Sequence, residues 1–422
     1  MSNRADALSI KTYSLVTAGY WLLMLSDGAL RMLVLLHFHS LGFSPLDLAM
    51  LFVLYEVMGI ATNLSGGWIA ARFGLRVTLY SGLGLQTLAL IALTAVNPDW
   101  AIAVSLVYVM AVQAVAGIAK DLTKMSAKSL VKLLAPEQSQ QGRLFRLVAL
   151  LTGSKNAIKG LGFFVGASGL ALLGFQVTLW SLAGLLLLAL LLLSQTLRQT
   201  LLAPRTSLPF GQLFSRDKRL NWLAAARFFL FGARDILFVV GVPLFFAESL
   251  AELGFSRREA FYLIGGFMAF WTIGYGFVQA LTPRLLGAEA SQLSQALPLA
   301  RRWVWLLVTM LALLSLVTKA SETYALLPAL LPAFLALGLV LFGALFAINS
   351  GLHSYLVLAF SSNARVTLDV GFYYMANSGG RLVGTVLSGL GYQAGGLALC
   401  LSLAVVFAGL SGLALTRIAQ SD

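Results

Sequence analysis

Residues 171–194 read ALLGFQVTLWSLAGLLLLALLLLS and carry no charged side chain. An apolar run of roughly 18 or more residues is long enough to cross the hydrocarbon layer of a membrane as one α-helix. Similar runs follow one another along the 422 residues, of which 59% are hydrophobic and 11% charged, and the mean hydropathy is +0.87. The alternating stretches of about ten residues that are typical of membrane β-barrels are not seen. The sequence therefore predicts an all-α membrane protein.

The apolar runs predict twelve helices. They lie at about 14–38, 45–70, 76–96, 100–122, 142–166, 171–194, 221–246, 260–282, 303–317, 324–349, 366–390 and 397–415. After the sixth run, the stretch 195–220 carries five basic residues and two prolines, which is typical of a linker. We therefore predict two pseudo-symmetric six-helix bundles, at 1–196 and 221–422, joined by a cytoplasmic linker at 197–220.

A short repeat supports this duplicated architecture. Leu-Gly-Phe-Ser follows the first predicted helix at 41–44 and the seventh at 253–256. Asp27 and Asp235 also stand at the same distance before the phenylalanine that ends each of these helices. Both observations are expected if the two halves descend from one repeat.

Basic residues are distributed unevenly among the predicted loops. With the N-terminus inside, most fall in cytoplasmic positions, and about three fall outside: Arg257, Arg258 and Lys319. This asymmetry follows the positive-inside rule and accounts for much of the formal charge of +13. We therefore predict a multi-pass protein of the inner (plasma) membrane with both termini cytoplasmic. The first run, near Ser14, is too long for a signal-peptide core, so we expect it to be retained.

The predicted loop after the second helix reads GWIAARFGLR from Gly67 to Arg76. With its Gly67, Arg72, Gly74 and Arg76, it resembles the cytoplasmic-loop signature of the major facilitator superfamily. The resemblance implies the major facilitator fold. Ala71 stands where that family usually has an acidic residue, so the salt bridge that the family builds here lacks its usual carboxylate.

Basic side chains also lie inside the predicted helices, where each costs about 2.5–3.5 kcal/mol on insertion scales and marks a functional site by default. For Lys120 and Lys124 an equally weighted alternative to substrate binding is that they belong to a basic helix end whose long side chains reach the membrane surface. Arg227 and Arg234 share a helix face, and we favour Arg234. The residues that we expect to bind substrate are Arg31, Lys120, Lys124, Lys155, Lys159, Arg234, Tyr373, Asn377 and Arg381.

Two carboxylates are candidates for proton transfer or gating. Asp27 lies four residues before Arg31, so the two share a helix face and can pair; alternatively, substrate or a proton competes for one of them. Glu56 has no basic neighbour in its own helix. A proton site and an interhelical partner for Arg31 therefore both remain open.

A third candidate for proton transfer or gating, Asp369, begins a polar stripe. Tyr373, Asn377 and Arg381 follow it at steps of four residues. Such a stripe in an apolar helix faces something other than lipid. We therefore interpret it as the wall of a cavity.

The sequence argues against an enzyme. It contains neither a phosphate-binding glycine loop with its lysine nor a paired-histidine metal motif, so we expect no cofactor, no metal and no ATP-driven step. The single cysteine, Cys400, excludes a multi-thiolate site, so we do not expect a thiophilic cargo. Transport would then be secondary or facilitated.

Four stretches resemble the organoarsenical efflux permeases. They are 55–67, 117–133, 153–162 and 366–391, the last with FYYMANSGGR at 372–381. Members of that family are taken to export arseno-phosphoglycerate, which forms when glyceraldehyde-phosphate dehydrogenase accepts arsenate in place of phosphate. The resemblance implies this anionic organoarsenical phosphate ester as the substrate, a role in arsenate resistance and a functional link to the dehydrogenase. We expect a monomer in the lipid bilayer, with no nucleic-acid partner.

Rival functions remain open. The intramembrane cations agree with a cargo that bears phosphate and arsenate groups, but an organic-anion or sugar-phosphate exchanger would need similar residues. A proton-coupled drug exporter is favoured only if Glu56 and Asp27 matter more than Lys155 and Lys159. A sensor or scaffold would need a soluble domain to relay a signal, and the sequence predicts none.

Overall fold

The computed structural model describes residues 2–134, 141–196, 217–286, 293–324, 329–361 and 366–418. Within these ranges all regular secondary structure is helical, and ten helical stretches are long and apolar enough to cross a membrane. The helices run from Ser2–Ser40 (α1), Pro45–Met50 and Val53–Phe73 (α2), Leu75–Leu93 (α3), Ile102–Leu134 (α4), Gln141–Thr196 (α5 and α6), Lys218–Ile236, Leu237–Gly241 and Val242–Glu252 (α7), Arg257–Leu285 (α8), Leu293–Tyr324 (α9), Leu331–Phe360 (α10), to Val366–Ile418 (α11 and α12).

Glycines divide the two longest helices. Gly174, with a φ of 78°, separates α5 from α6, and Gly396, with a φ of 60°, separates α11 from α12. Glycine adopts a positive φ readily because it has no Cβ. The chain reverses at the second break, since Cys400 Sγ lies 3.6 Å from Ser388 O, whereas twelve residues of continuous helix would span about 18 Å. Counted with these breaks, the described residues form twelve spans, as predicted.

The two Leu-Gly-Phe-Ser stretches form the same turn. In each, the glycine has a φ of 85°, and the phenylalanine N–H bonds to a carbonyl five residues earlier. The serine then caps the next helix through a capping box, which satisfies two backbone donors reciprocally. The shared residues are Gly42, Phe43 and Ser44 in the first turn and Gly254, Phe255 and Ser256 in the second. The connections α1–α2 and α7–α8 are thus built alike.

The ninth and tenth helices differ from the prediction. α9 spans Leu293–Tyr324 rather than 303–317, and α10 spans Leu331–Phe360 rather than 324–349. Hydropathy locates the lipid-crossing part of a helix and not the ends of its backbone hydrogen bonding. Pro332 lies in the first turn of α10, where a missing N–H costs nothing.

The predicted linker lies largely outside the described residues, which resume at Asp217. Asp217 Oδ1 accepts a hydrogen bond from Arg219 N at 2.8 Å and caps α7. Because of this cap, α7 begins at Lys218 and not at residue 221. The boundary between the predicted bundles at residue 196 stays a prediction.

Glycines bring α1 against α5 and α7 against α11. A Cβ on Gly162 would collide with a carbonyl of α1, and one on Gly384 would lie 2.6 Å from a carbonyl of α7. Small residues allow such close approach of helix backbones in membranes. Each glycine stands three residues after a cation, Lys159 or Arg381. The two contacts therefore place these cations in equivalent positions in the two halves.

The halves also touch at the end that holds the two turns. Leu46 N, at the start of α2, donates to Gln393 Oε1, at the end of α11, at 3.2 Å. Gly265 of α8 packs against Ala167 of α5. Both interfaces close the space between the halves at this end.

Candidate functional site

A cavity of about 230 Å³ lies between the two halves. Its wall is formed by α1, α2, α4 and α5 on one side and by α7, α8, α10 and α11 on the other. The basic side chains that line it are Arg31, Lys120, Lys124, Lys155, Lys159, Arg227, Arg234 and Arg381. All seven cations that the sequence singled out are among these eight. Asp121 and Asp235 also line the wall, and buried Asp27 and Glu56 each bond to a lining cation.

Five charged side chains form a chain of ion pairs across the halves, here called the cross-half chain. Glu56 Oε1 accepts hydrogen bonds from Arg31 at 2.9 Å and from Arg381 at 2.5 Å. Arg381 Nε also donates to Asp235 Oδ2 at 3.0 Å, and Asp235 pairs with Arg234. Glu56 has no exposed surface, and a buried carboxylate needs such partners to offset its lost hydration. The cross-half chain links α1, α2, α11 and α7 with three cations and two anions.

Asp27 forms a separate pair. Its Oδ2 accepts a hydrogen bond from Lys159 Nζ at 2.7 Å, and its Oδ1 accepts one from the Tyr55 hydroxyl at 2.5 Å. The intrahelical pair with Arg31 is not formed, because the close packing of α1 on α5 brings Lys159 within reach. The sequence left two alternatives open for Glu56, a proton site and an interhelical partner for Arg31. The geometry shows the second, since Glu56 pairs with Arg31.

The two lysines of α4 have different surroundings. Lys124 Nζ donates to Asp121 Oδ1 and to Asn63 Oδ1, each at 2.7 Å. Lys120 Nζ lies 4.1 Å from the centroid of the Tyr55 ring. No carboxylate lies within ion-pair distance of Lys120 in the ranges described above. Because both lysines line the cavity, they are not a helix end that reaches the membrane surface.

Arg227 also lines the cavity, although the sequence favoured Arg234. Its side chain is 4% exposed. Its Nε donates to Asn377 Oδ1 at 3.0 Å and its Nη1 to Ser350 Oγ at 3.1 Å, and its Cζ lies 3.8 Å from the Phe231 ring centroid. These partners are neutral, and the described part of the chain places no carboxylate at ion-pair distance. The seven-residue spacing from Arg234 had placed both arginines on one helix face, and the structure shows that both line the cavity.

The polar stripe of α11 faces the cavity only in part. Asn377 and Arg381 line the wall, whereas Tyr373 is fully buried outside it and Asp369 is 5% exposed and also outside it. Each step of four residues turns the side chain by about 40° around the axis, so Tyr373 lies about 80° away from Arg381. Tyr374, seven residues before Arg381, returns to within about 20° and lines the cavity instead.

Aromatic side chains of α7 and α8 form an apolar part of the wall. Trp271 stacks on Phe238 with the ring centroids 3.9 Å apart, and its Nε1 donates to Leu339 O at 2.7 Å. The indole N–H thus has a hydrogen-bond acceptor within the protein and needs none from a ligand. An apolar wall lowers the local dielectric and strengthens the field of the neighbouring cations.

The signature loop lies away from this cavity. Gly74, with a φ of 83°, forms the turn between α2 and α3. The Arg76 guanidinium lies 5.3 Å from the Tyr80 ring centroid. The side-chain surroundings of Gly67 and Arg72 fall outside what the structure describes.

Comparisons with known proteins agree with this architecture. Residues 16–318 match the family model described as Major Facilitator Superfamily. A bacterial homologue of the iron transporter ferroportin, crystallised in an outward-facing state, is 14% identical with a TM-score of 0.63 over 97% of this chain and 99% of that chain. A mutant of the nucleoside transporter NupG is 15% identical with a TM-score of 0.68 over 98% and 99%. No curated protein matches this chain. At these identities the likenesses show a shared fold and say nothing about the cargo.

Proposed function

Because this chain belongs to the Major Facilitator Superfamily and is a multi-pass membrane transporter, we propose that its cargo is a small anion with several charges. We further propose that the anion is arseno-phosphoglycerate and that alternating access exports it from the cytoplasm. The single observation that carries this proposal is the charge of the cavity. Eight cations line the cavity and four carboxylates are bonded to them or lie beside them in the described residues.

A surplus of positive charge in a partly apolar cavity favours an anionic ligand. Charges removed from water need counter-charges nearby, and a cleft lined by one sign of charge raises the local concentration of the opposite sign. A cationic drug would meet repulsion here. Asp27 and Glu56, which a proton-coupled drug exporter would use, are each bonded to cations, which disfavours that rival.

The arsenylated identity of the anion rests on the family resemblance. The four stretches that carry the resemblance also supply much of the wall, including Asn63, Lys120, Lys159 and Arg381. The resemblance and the cationic cavity thus concern the same residues. An organic-anion or sugar-phosphate exchanger would use the same cations and is the wider alternative.

The membrane potential is sufficient to drive such an export. An inside-negative potential drives an anion outward with about 2.3 kcal/mol per charge per 100 mV, or about 7 kcal/mol for three charges. With the Leu-Gly-Phe-Ser turns on the outer side, as the basic residues predict, the contacts at Leu46 and Gly265 close the outer end. The cavity would then load from the cytoplasm.

Everted membrane vesicles test this proposal, because their outer surface is the former cytoplasmic face. Glyceraldehyde-phosphate dehydrogenase, glyceraldehyde phosphate, the nicotinamide cofactor and arsenate would generate the arsenylated ester outside. We expect arsenic uptake that requires the complete mixture and this chain, with Arg381→Gln abolishing it and Arg302→Gln, an exposed arginine of α9, preserving it.

Replacing arsenate with phosphate in the same mixture separates the alternatives. Equal uptake of the phosphorylated product would support the wider organic-anion exchanger and defeat the arsenylated identity. Uptake of neither product would defeat anion export itself.

A further inference from the structure

Two cations of the cavity, one in each half, differ from most of the others. Lys120 on α4 and Arg227 on α7 line the wall and have no carboxylate within ion-pair distance among the described residues. The cations that are held in ion pairs are Arg31, Lys124, Lys159, Arg234 and Arg381. A ligand anion that binds one of these five must compete with a carboxylate already in place, whereas at Lys120 and Arg227 it meets no such competitor.

No described neighbour of Lys120 forms an ion pair with it, and Asp121, Glu56 and Asp27 act on its charge only from beyond ion-pair distance. Its ammonium lies over the face of the Tyr55 ring, which attracts a cation far less than a carboxylate does. The hydroxyl of Tyr55 is already engaged with Asp27. Lys120 is therefore a compact positive charge on the wall of the first half.

Arg227 is oriented by its neighbours without being neutralised. Asn377 and Ser350 accept hydrogen bonds from its Nε and Nη1, which fixes the plane of the guanidinium. Its Nη2 donates no hydrogen bond to any residue that the structure describes. Gln279, which also lines the cavity, donates from its Nε2 to Ser350 Oγ at 3.2 Å. A rigid guanidinium with amide and hydroxyl groups beside it suits a tetrahedral oxyanion.

We infer that the ligand carries two separate anionic groups, of which Lys120 binds one and Arg227 the other, so that one molecule bridges the two halves. The phosphate group lies at Arg227, and the second anionic group, which is the acyl arsenate in the proposed cargo, lies at Lys120. This inference rests on the proposed function and adds to it which two residues receive the two ends.

Two phosphate esters that differ by one carboxylate test the inference on the purified, reconstituted full chain. Phosphoglycerate carries the phosphate and a second anionic group, a carboxylate in the place of the acyl arsenate, whereas glycerol phosphate carries the phosphate alone. We expect the unmodified protein to bind phosphoglycerate roughly tenfold or more tightly, since a hydrogen-bonded charge pair contributes at least that factor. Lys120→Gln should remove this preference and leave glycerol phosphate binding unchanged. Arg227→Gln should weaken both esters by a similar factor, roughly tenfold or more.

Matched variants separate these effects from a general loss of charge or folding. Lys319→Gln and Arg302→Gln remove exposed charges on α9 and should leave both affinities unchanged. Lys120→Arg keeps the charge and should keep the preference. Equal binding of the two esters by the unmodified protein, or equal weakening of both by Lys120→Gln, overturns the two-ended ligand. If neither ester binds the unmodified protein, the proposed anion transport fails instead.

Discussion

The pairs Asp27–Lys159 and Asp235–Arg381 occupy equivalent places in the two halves, yet they are connected differently. In each half the cation stands three residues before a glycine at which two helix backbones meet. Asp27 is completed by Tyr55 within the first half. Arg381 instead reaches across to Glu56 of the other half at 2.5 Å. Separation of the halves therefore breaks the second arrangement and leaves the first intact.

The chemistry of the two cations explains this difference. A guanidinium has five donors in a fixed plane, so Arg381 serves two carboxylates at once. The lysine ammonium is a compact charge that can lose its proton, whereas the guanidinium cannot. The Asp27–Lys159 pair thus suits a contact that stays in place within one half. The cross-half chain suits a contact that breaks when the halves separate.

The largest effect is expected for Glu56→Gln, which breaks the cross-half chain at its centre. Arg31 would lose its carboxylate partner while remaining charged, and removing one partner of a buried pair costs roughly 3–5 kcal/mol. We expect a large fall in the unfolding temperature in detergent and a loss of transport. Glu252→Gln, an exposed glutamate at the end of α7, is the matched control. A fall no greater than that of the control would contradict the central role of Glu56.

Asp27→Asn should have a smaller and pH-dependent effect. The uncompensated Lys159 ammonium costs roughly 3 kcal/mol at neutral pH, but raising the pH lets it lose its proton and removes the buried charge. The difference in unfolding temperature from the unmodified protein should therefore narrow as the pH is raised, while that of Glu56→Gln should stay constant, because an arginine cannot lose its proton. Parallel behaviour of the two variants would show that the two pairs do not differ as described.

Glycine substitutions test the helix contacts behind each pair. A Cβ at Gly384 would lie 3.1 Å from Asp235 Cβ and closer still to α7 backbone, and such overpacking costs roughly 1–3 kcal/mol. Gly384→Ala should weaken both stability and transport, whereas Gly162→Ala should weaken chiefly stability, because Gly384 lies directly against Asp235 of the cross-half chain and Gly162 meets only backbone atoms of α1. Gly184→Ala, where a Cβ would meet open space, is the control and should be neutral or stabilising. Equal loss of transport in both variants would argue against the distinction.

The sequence predicted which helices exist and which cations lie at membrane depth, because hydropathy and buried charge are local properties. It did not predict which charged side chains form ion pairs with one another. Asp27 and Arg31 share a helix face, but their partners, Lys159 and Glu56, come from neighbouring helices whose placement the spacing alone does not determine.

The four-residue spacing in α11 also gave a wrong prediction, because the angular error of each step adds to the next. Steps of four residues turn the side chain by about 40° each around the helix axis. For this reason Tyr373, which was predicted to line the cavity, lies outside it, and Tyr374 lines it instead. Arg227 was undervalued because its partners, Asn377 and Ser350, are neutral and distant in sequence.

The smallest effect is expected for Ser378→Ala, which removes a neutral contact between the halves. Asn63 Nδ2 donates to Ser378 Oγ at 3.1 Å and also to Gly59 O at 2.6 Å, so the amide keeps a partner and the loss should be roughly 0.5–1.5 kcal/mol. A double-mutant cycle measures the coupling free energy between this contact and the two ion-pair sites. Because Asn63 and Glu56 both reach from α2 to α11, Ser378→Ala should couple to Glu56→Gln by roughly 0.5 kcal/mol or more and combine additively with Asp27→Asn. The reverse pattern would place Asp27, rather than Glu56, in the contact that changes when the halves separate.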